Sequence, residues 1–449
     1  MLYIPITNPP STHSTNKMVS SKDQNSIYDV KISTVSAGCI SGHNAIQELT
    51  TMDLAMKLHY LRFVYYFKSP TFDGLTILKI KETMFDWLNH AYIPCGRLRR
   101  AESGRPFIKC NDSGVRVIEA KCHLSLDEWL ESTYESRHKV MVPNQVLGPD
   151  LAFSPLVSIQ LTDFKCGGKS VGVSWSHVLG DALSAVGFIN LWAQIMAGHN
   201  PAQPLTKAQQ KIHFFGFESP NPSPDTLLTK RVDPVGDLWS ISNPSKMETF
   251  SFYISSSELT RLQAKICGEQ VDEQIPVFEC ICVVVWQCLA KVRNGSGPKV
   301  VTICKNDLRN RQKGIITNES QTIGLVKTDA SVEKYTPMEL GSLLVNKADN
   351  ERLKIEETMG RDDTLPDFLI YGANLTFVDL SDGSFYDTKV RGHKPIYVNC
   401  FIDNIGDEGV VLVLPTSKGC SDGRMVNVTL PENQVLELKS VLKQDWCIA

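Results

Sequence analysis

Hydrophobic positions along this chain follow two rhythms. A helix signal opens the ordered part, with Thr51 placed to cap a short helix over Met52–Leu58 and Asp53 set against its dipole. The aromatic and β-branched run Leu61–Phe67 reads as a strand, and Leu75–Leu88 reads as a helix with Leu75, Leu78, Met84, Phe85 and Leu88 on one side. Pro106–Cys110 and Val115–Glu119 flank the turn residues Asn111-Asp112-Ser113-Gly114, which predicts a hairpin. Leu156–Leu161 and Ser170–His177 read as strands joined through Lys165–Gly168. Asp181–Met196 is apolar nearly all round, the mark of a buried helix.

Between residues 201 and 244 the composition shifts to Pro, Ser, Asn and Lys, which predicts a crossover linker. A second set of elements follows: strands near Thr249–Ile254, Lys299–Cys304, Leu375–Val378 and Gly409–Leu414, and helices near Ser257–Ile266 and Phe278–Val292. Strands and helices alternate on both sides of the linker. The expected fold class is therefore α/β, with two domains of mixed sheet plus helices over residues 30–200 and 245–449.

Composition agrees with that division. The chain has 449 residues, too many for one ordinary core, and 42% of them are hydrophobic. A formal charge of −3 without a block of like charges argues against a nucleic-acid partner. The thirteen cysteines are scattered, with no Cys-x-x-Cys, so neither a disulfide framework nor a zinc cluster is expected. No segment approaches the ~20 apolar residues of a membrane span. Residues 1–29 are rich in Ser, Thr, Asn and Pro and lack the pattern of a secretory signal, so a disordered leader is expected.

Candidate chemistry gathers at His177-Val178-Leu179-Gly180-Asp181. Alternation puts Val171, Val173, Trp175 and His177 on one strand face, so the histidine projects where a sheet gives way to a helix. A neutral imidazole there can take the proton of a hydroxyl or amine as it attacks a thioester carbonyl. Asp181 is suited to shaping the turn by binding an arginine or backbone N–H groups, and it also stands where a helix N-cap belongs. The spacing by itself leaves a catalytic and a purely structural reading open. No Gly-x-Ser-x-Gly elbow is present, which argues against a triad hydrolase.

The motif His177–Asp181 resembles the H-x-x-x-D of the BAHD acyl-CoA-dependent acyltransferases of plants, and the likeness runs over nearly the whole chain after residue 30. Tyr92–Leu98 resembles their Y-P-x-x-G-R-L strand, Cys110–Gly114 their C-N-D-x-G stretch, and Asp307-Leu308-Arg309-Asn310-Arg311 their D-x-R-x-R stretch. The resemblance implies a chloramphenicol-acetyltransferase-like architecture, His177 as general base, Asp181 as a structural group, and Arg309 as the partner of Asp181. It implies acyl-CoA as substrate or ligand, with no other cofactor.

One departure stands out. Where the family carries D-F-G-W-G before Lys394-Pro395, this chain has Lys389-Val390-Arg391-Gly392-His393, with Arg and His in place of glycines suited to positive φ. Met52–Tyr60, Phe164–Gly168, Val232–Trp239 and Tyr371–Phe377 resemble the eceriferum/Glossy branch. That branch implies an accessory role in very-long-chain fatty acid elongation for cuticular wax. The implied partners are a membrane β-ketoacyl-CoA synthase and a long acyl group, at the cytosolic face of the endoplasmic reticulum. The alternative is an active acyltransferase delivering a fatty acyl group to an alcohol or amine.

Overall fold

The computed structural model describes residues 26–448 apart from 43–44, 132–134, 144–146, 149, 202, 208–226, 269–273, 310, 361–366 and 418–421. Most of the expected leader and the middle of the expected linker lie outside the described residues. The first strand begins at Ile27, inside the stretch assigned to the leader.

Two six-stranded mixed sheets organise the molecule. The first runs in the order Ile27–Val35, Val115–Cys122, Val157–Phe164, Lys169–Ser176, Tyr60–Phe67 and Tyr397–Asp403. Its neighbours are antiparallel except Val115–Cys122 with Val157–Phe164. The second runs Met247–Ile254, Arg424–Pro431, Val410–Pro415, Leu375–Asp379, Val300–Asn306 and Gln321–Lys327.

Period-two alternation lets this second sheet bury both faces. Val411 and Val413 turn toward helices Ser256–Cys267, Val277–Val292 and Glu432–Trp446, while Val410, Leu412 and Leu414 join the core shared with the first sheet.

Tyr397–Asp403 comes from the second half of the chain yet closes the first sheet against Tyr60–Phe67. Asp403 at its end pairs with the fully buried Arg62 at 2.8 Å. Asn427 Nδ2 from the second sheet donates to Cys400 O at 2.6 Å, so this strand links both sheets.

The described parts of 201–244 are mostly exposed but anchored at several points. Thr206–Lys207 pairs with Ile315–Ile316, Lys230–Arg231 pairs with Phe368–Leu369, and Trp239 is buried.

Three local expectations are corrected. Thr50, not Thr51, caps the first helix, which spans Thr51–Ala55, and Asp53 completes a reciprocal capping box. The expected hairpin does not form. Pro106–Lys109 pairs with Arg97–Arg100 and Ile46–Glu48, whereas Val115–Cys122 belongs to the first large sheet. The turn at Asp112 and Gly114 (φ 51° and 81°) carries the chain from one sheet to another. Finally, the helix Ile77–His90 buries Ile80, Met84, Trp87 and Leu88 and leaves Leu78 and Phe85 exposed. Trp87 decides that rotation by stacking on Trp192 with ring centroids 5.2 Å apart.

Candidate active site

The strand Lys169–Ser176 ends one residue before His177, whose backbone N–H donates to His59 O at 3.1 Å. The chain then turns tightly, braced by Trp175 Nε1 donating to Gly180 O at 2.9 Å. Gly180 is required by proximity: a Cβ there would stand 2.8 Å from Ile316 Cγ2. The helix Ala182–Met196 follows, with Asp181 as its N-cap accepting from Ser184 N at 2.8 Å.

Asp181 points away from the imidazole and into the second half of the chain. Arg311 grips it with two bonds, Nη1 to Oδ2 at 2.7 Å and Nη2 to Oδ1 at 3.0 Å, and Ser320 Oγ adds a third at 3.2 Å. This corrects the sequence expectation. The partner of Asp181 is Arg311, while Arg309 sits exposed on the turn at Leu308–Arg309. Arg311 also donates to Ser184 Oγ at 2.8 Å, so one guanidinium fork clamps the first turn of the helix from the other half of the molecule.

A second fully buried network holds the backbone of His177. Asn318 Nδ2 donates to His177 O at 2.9 Å and to Asp53 Oδ1 at 2.8 Å. Lys207 Nζ reaches the same Asp53 oxygen at 2.8 Å and Leu179 O at 2.7 Å. Both charged side chains are 1% exposed, so this ion pair survives only because each has further hydrogen bonds.

The imidazole of His177 is itself closed off. The residue is 0% exposed, and its Nε2 lies 3.2 Å from the hydroxyl of Tyr371, also buried. Gln321 meets that hydroxyl with both ends of its amide: Nε2 donates to it at 2.9 Å, and Oε1 accepts from it at 3.2 Å, sharing the phenol proton with His177 Nε2. Burial pushes the His177 pKa down to about 4, against the opposing pull of its own carbonyl and of Asp181. Among the described residues Nδ1 has no hydrogen-bond partner, while Nε2 faces the Tyr371 hydroxyl; with the proton on Nδ1, the Nε2 lone pair can accept from that hydroxyl. Burial holds the Tyr371 phenol well above its ordinary pKa, so it stays protonated.

His59 was quoted in the sequence only as part of a branch motif, yet it builds this centre. Its Nε2 accepts from the backbone N–H of Ile370 and of Tyr371, each at 3.3 Å. The proton is therefore on Nδ1, which donates to Asn404 O at 2.9 Å. Burial, with the nearby His177 second, pushes His59 down to about 3.

An open cleft of 180 Å³ lined by Asn404, Asp403, Lys139 and Thr249 does not include His177. Nor does a second, of 320 Å³, beside Asp73, Asp163 and Lys169.

Sequence reasoning named His177 and Asp181 and missed Tyr371, Gln321, Asn318, Lys207 and Arg311. Only Arg311 had a usable signal, as the second arginine of the D-x-R-x-R stretch.

The departing stretch Lys389–His393 forms a tight turn. Arg391 takes φ 50° and Gly392 φ 84°, and Val390 and His393 exchange backbone bonds of 3.0 and 2.9 Å. Arg391 Nη1 donates to Asp73 O from an exposed position, while left-handed backbone costs a residue with a Cβ ~1 kcal/mol.

Among the described residues no helix is long and apolar enough to cross a membrane, no group of three or more His, Cys, Asp or Glu could hold a metal, and the cysteines are free.

Comparison with known proteins places this geometry. A family model described as the Transferase family matches residues 43–444. ECERIFERUM 26 of Arabidopsis thaliana is 39% identical over 427 residues, covering 95% of this chain and 97% of the relative. ECERIFERUM 2 of the same plant is 34% identical over 425 residues, covering 92% and 97%. Vinorine synthase matches the fold with a TM-score of 0.71 at 17% identity, over 94% of this chain and 99% of that one. TRI101 of F. graminearum, solved with coenzyme A and T-2 mycotoxin, gives a TM-score of 0.71 at 12% identity over 90% and 98%. With the two mixed sheets, the buried histidine and the arginine-clamped aspartate in place, the chain belongs to the BAHD transferase family, in its eceriferum-type branch.

Proposed function

We propose that this chain is an accessory protein of very-long-chain fatty acyl elongation for cuticular wax. It acts beside a membrane β-ketoacyl-CoA synthase at the cytosolic face of the endoplasmic reticulum and does not itself transfer acyl groups. The observation that carries this reading is the closed imidazole. A general base must lie within hydrogen-bond reach of the acceptor it deprotonates, and here that place is taken by Tyr371 Oη at 3.2 Å. The eceriferum relatives, similar along 95% and 92% of the chain, support the pathway. A preference for burying longer chains, at ~0.8 kcal/mol per CH₂, favours a product two carbons longer by roughly tenfold, enough to change product length.

The test is co-expression with the condensing enzyme in yeast and chromatography of the acyl chains. His177→Asn, checked for folding by its melting curve, is expected to give the same chain-length profile as the unaltered protein. A folded His177→Asn protein that still binds the synthase but no longer extends the chains would sink the accessory reading.

A second reading, an acyl-CoA-dependent acyltransferase with His177 as base, is favoured by one observation. Burial keeps the imidazole neutral at physiological pH, the form a base requires. It predicts His177-dependent release of thiol from long-chain acyl-CoA with an alcohol or amine. The accessory reading predicts none above background.

A further inference from the structure

Tyr371 does more than cover His177. Its ring lies against both histidines, with centroids 4.9 Å from His59 and 5.5 Å from His177. Its hydroxyl meets His177 Nε2 on one side and Gln321 on the other. An acceptor hydroxyl poised before a base would make the same contacts.

The backbone that carries this ring is held without help from the ring. The Ile370 and Tyr371 N–H groups bond to His59, and Gly406 N donates to Tyr371 O at 3.0 Å. Gly372, at φ 79°, packs so closely that a Cβ there would lie 2.4 Å from Gly406 O, and its N–H donates to Thr376 Oγ1 at 3.1 Å. A scaffold held this way relaxes little when a side chain is deleted, so a cavity remains, as buried large-to-small substitutions commonly leave. Its walls would include the rings of His59 and His177, with the Gln321 amide at the hydroxyl end.

We propose that the Tyr371 side chain occupies the acceptor position of this centre as a built-in mimic, and that removing its ring exposes a binding site for a small phenol. The site orients its ligand by the hydroxyl, which accepts from Gln321 Nε2 and has two acceptors for its proton, His177 Nε2 and Gln321 Oε1. Tyr371 is thus the specificity-determining residue that closes the centre to outside hydroxyl compounds. The inference rests on the closed centre used for the accessory reading, but elongation data do not bear on it. A folded Tyr371→Ala that binds no phenol leaves the accessory reading standing, because the imidazole of the unaltered protein is still covered. An unchanged Nε2 resonance in Tyr371→Phe would remove the cover that both rest on, and His177-dependent elongation leaves the phenol site standing.

The experiment is titration calorimetry of purified Tyr371→Ala with 4-methylphenol, with toluene as the ligand lacking the hydroxyl. Saturable binding of one 4-methylphenol is expected for Tyr371→Ala, at least roughly tenfold tighter than toluene, since a buried polar pair is otherwise left unmet. The unaltered protein and Tyr371→Phe are expected to bind neither. Toluene bound as tightly as 4-methylphenol, or no binding to folded Tyr371→Ala, overturns the proposal.

Should Tyr371→Ala not fold, Tyr371→Phe carries the test by side-chain nitrogen NMR. Loss of the phenol hydroxyl is expected to shift the His177 Nε2 resonance. An unchanged resonance shows that the hydroxyl does not sit on Nε2 and overturns the proposal equally.

Discussion

Arg311→Ala is expected to destabilise the protein by about 3–5 kcal/mol, while Arg309→Ala changes stability by less than ~0.5 kcal/mol. The asymmetry follows from where the charges lie. The side chain of Asp181 is 2% exposed and that of Arg311 14%, so the carboxylate has no water to fall back on and the guanidinium little. Removing the guanidinium leaves a buried carboxylate with only Ser184 N and the Ser320 hydroxyl as partners. Arg309 lies on an exposed turn. Arg311→Lys keeps the charge but replaces a two-pronged fork with a point donor, so an intermediate loss is expected. Urea unfolding midpoints at neutral pH check all three variants. Equal midpoints for the two alanine variants would remove Arg311 as the clamp.

Acid is expected to weaken the fold well above the pH at which carboxylates protonate. Burial pushes His59 and His138 down to about 3 and His177 to about 4. These groups stay neutral when folded but take up protons near 6.5 when unfolded. Below pH 6.5 the unfolded chain therefore binds more protons, and stability falls as pH falls; above it these groups contribute no slope. At pH 5 each histidine costs on the order of 2 kcal/mol, so three together are comparable with the whole stability of many domains.

His138 adds to this independently of the candidate site. It bonds Tyr66 Oη at 2.8 Å in a separate buried cluster with Trp129, and Arg137 beside it further disfavours its charge. Urea midpoints at pH 5, 6, 7 and 8 are expected to be flat at the top and steep at the bottom. His138→Gln is expected to flatten the lower limb. A level profile from pH 7 to 5 would mean that the imidazoles are hydrated or paired in the folded state.

The clamp and the closed imidazole have one structural origin. Tyr371, Gln321, Asn318 and Arg311 all come from the second half of the chain and converge on the turn after Ser176. The strand Tyr397–Asp403 crosses back to complete the first sheet, which keeps the halves in register. Asn404, just beyond that strand, then supplies the carbonyl that fixes the His59 tautomer.

Local pattern alone determined a good deal about this protein. Asp181–Met196 is apolar nearly all round because most of the helix it forms is buried, with Gln194 exposed near its end, and the run ending at Trp175 placed His177 at a strand's end. The branch motifs contained His59 and Tyr371 without revealing what either does. Tertiary structure decided the rest, because the deciding contacts join residues far apart in the chain. Leu78 and Phe85 fit a helical stripe as well as Trp87 does, and only stacking on Trp192 set which side faces inward. Arg309 and Arg311 share a spacing and a chemistry, and only the turn at Leu308–Arg309 set which one meets Asp181. Nothing near His177 in sequence foretold that a phenol 194 positions away would lie against its Nε2. Periodicity reports which face of an element is buried; it carries no information about what the other wall of the site is made of.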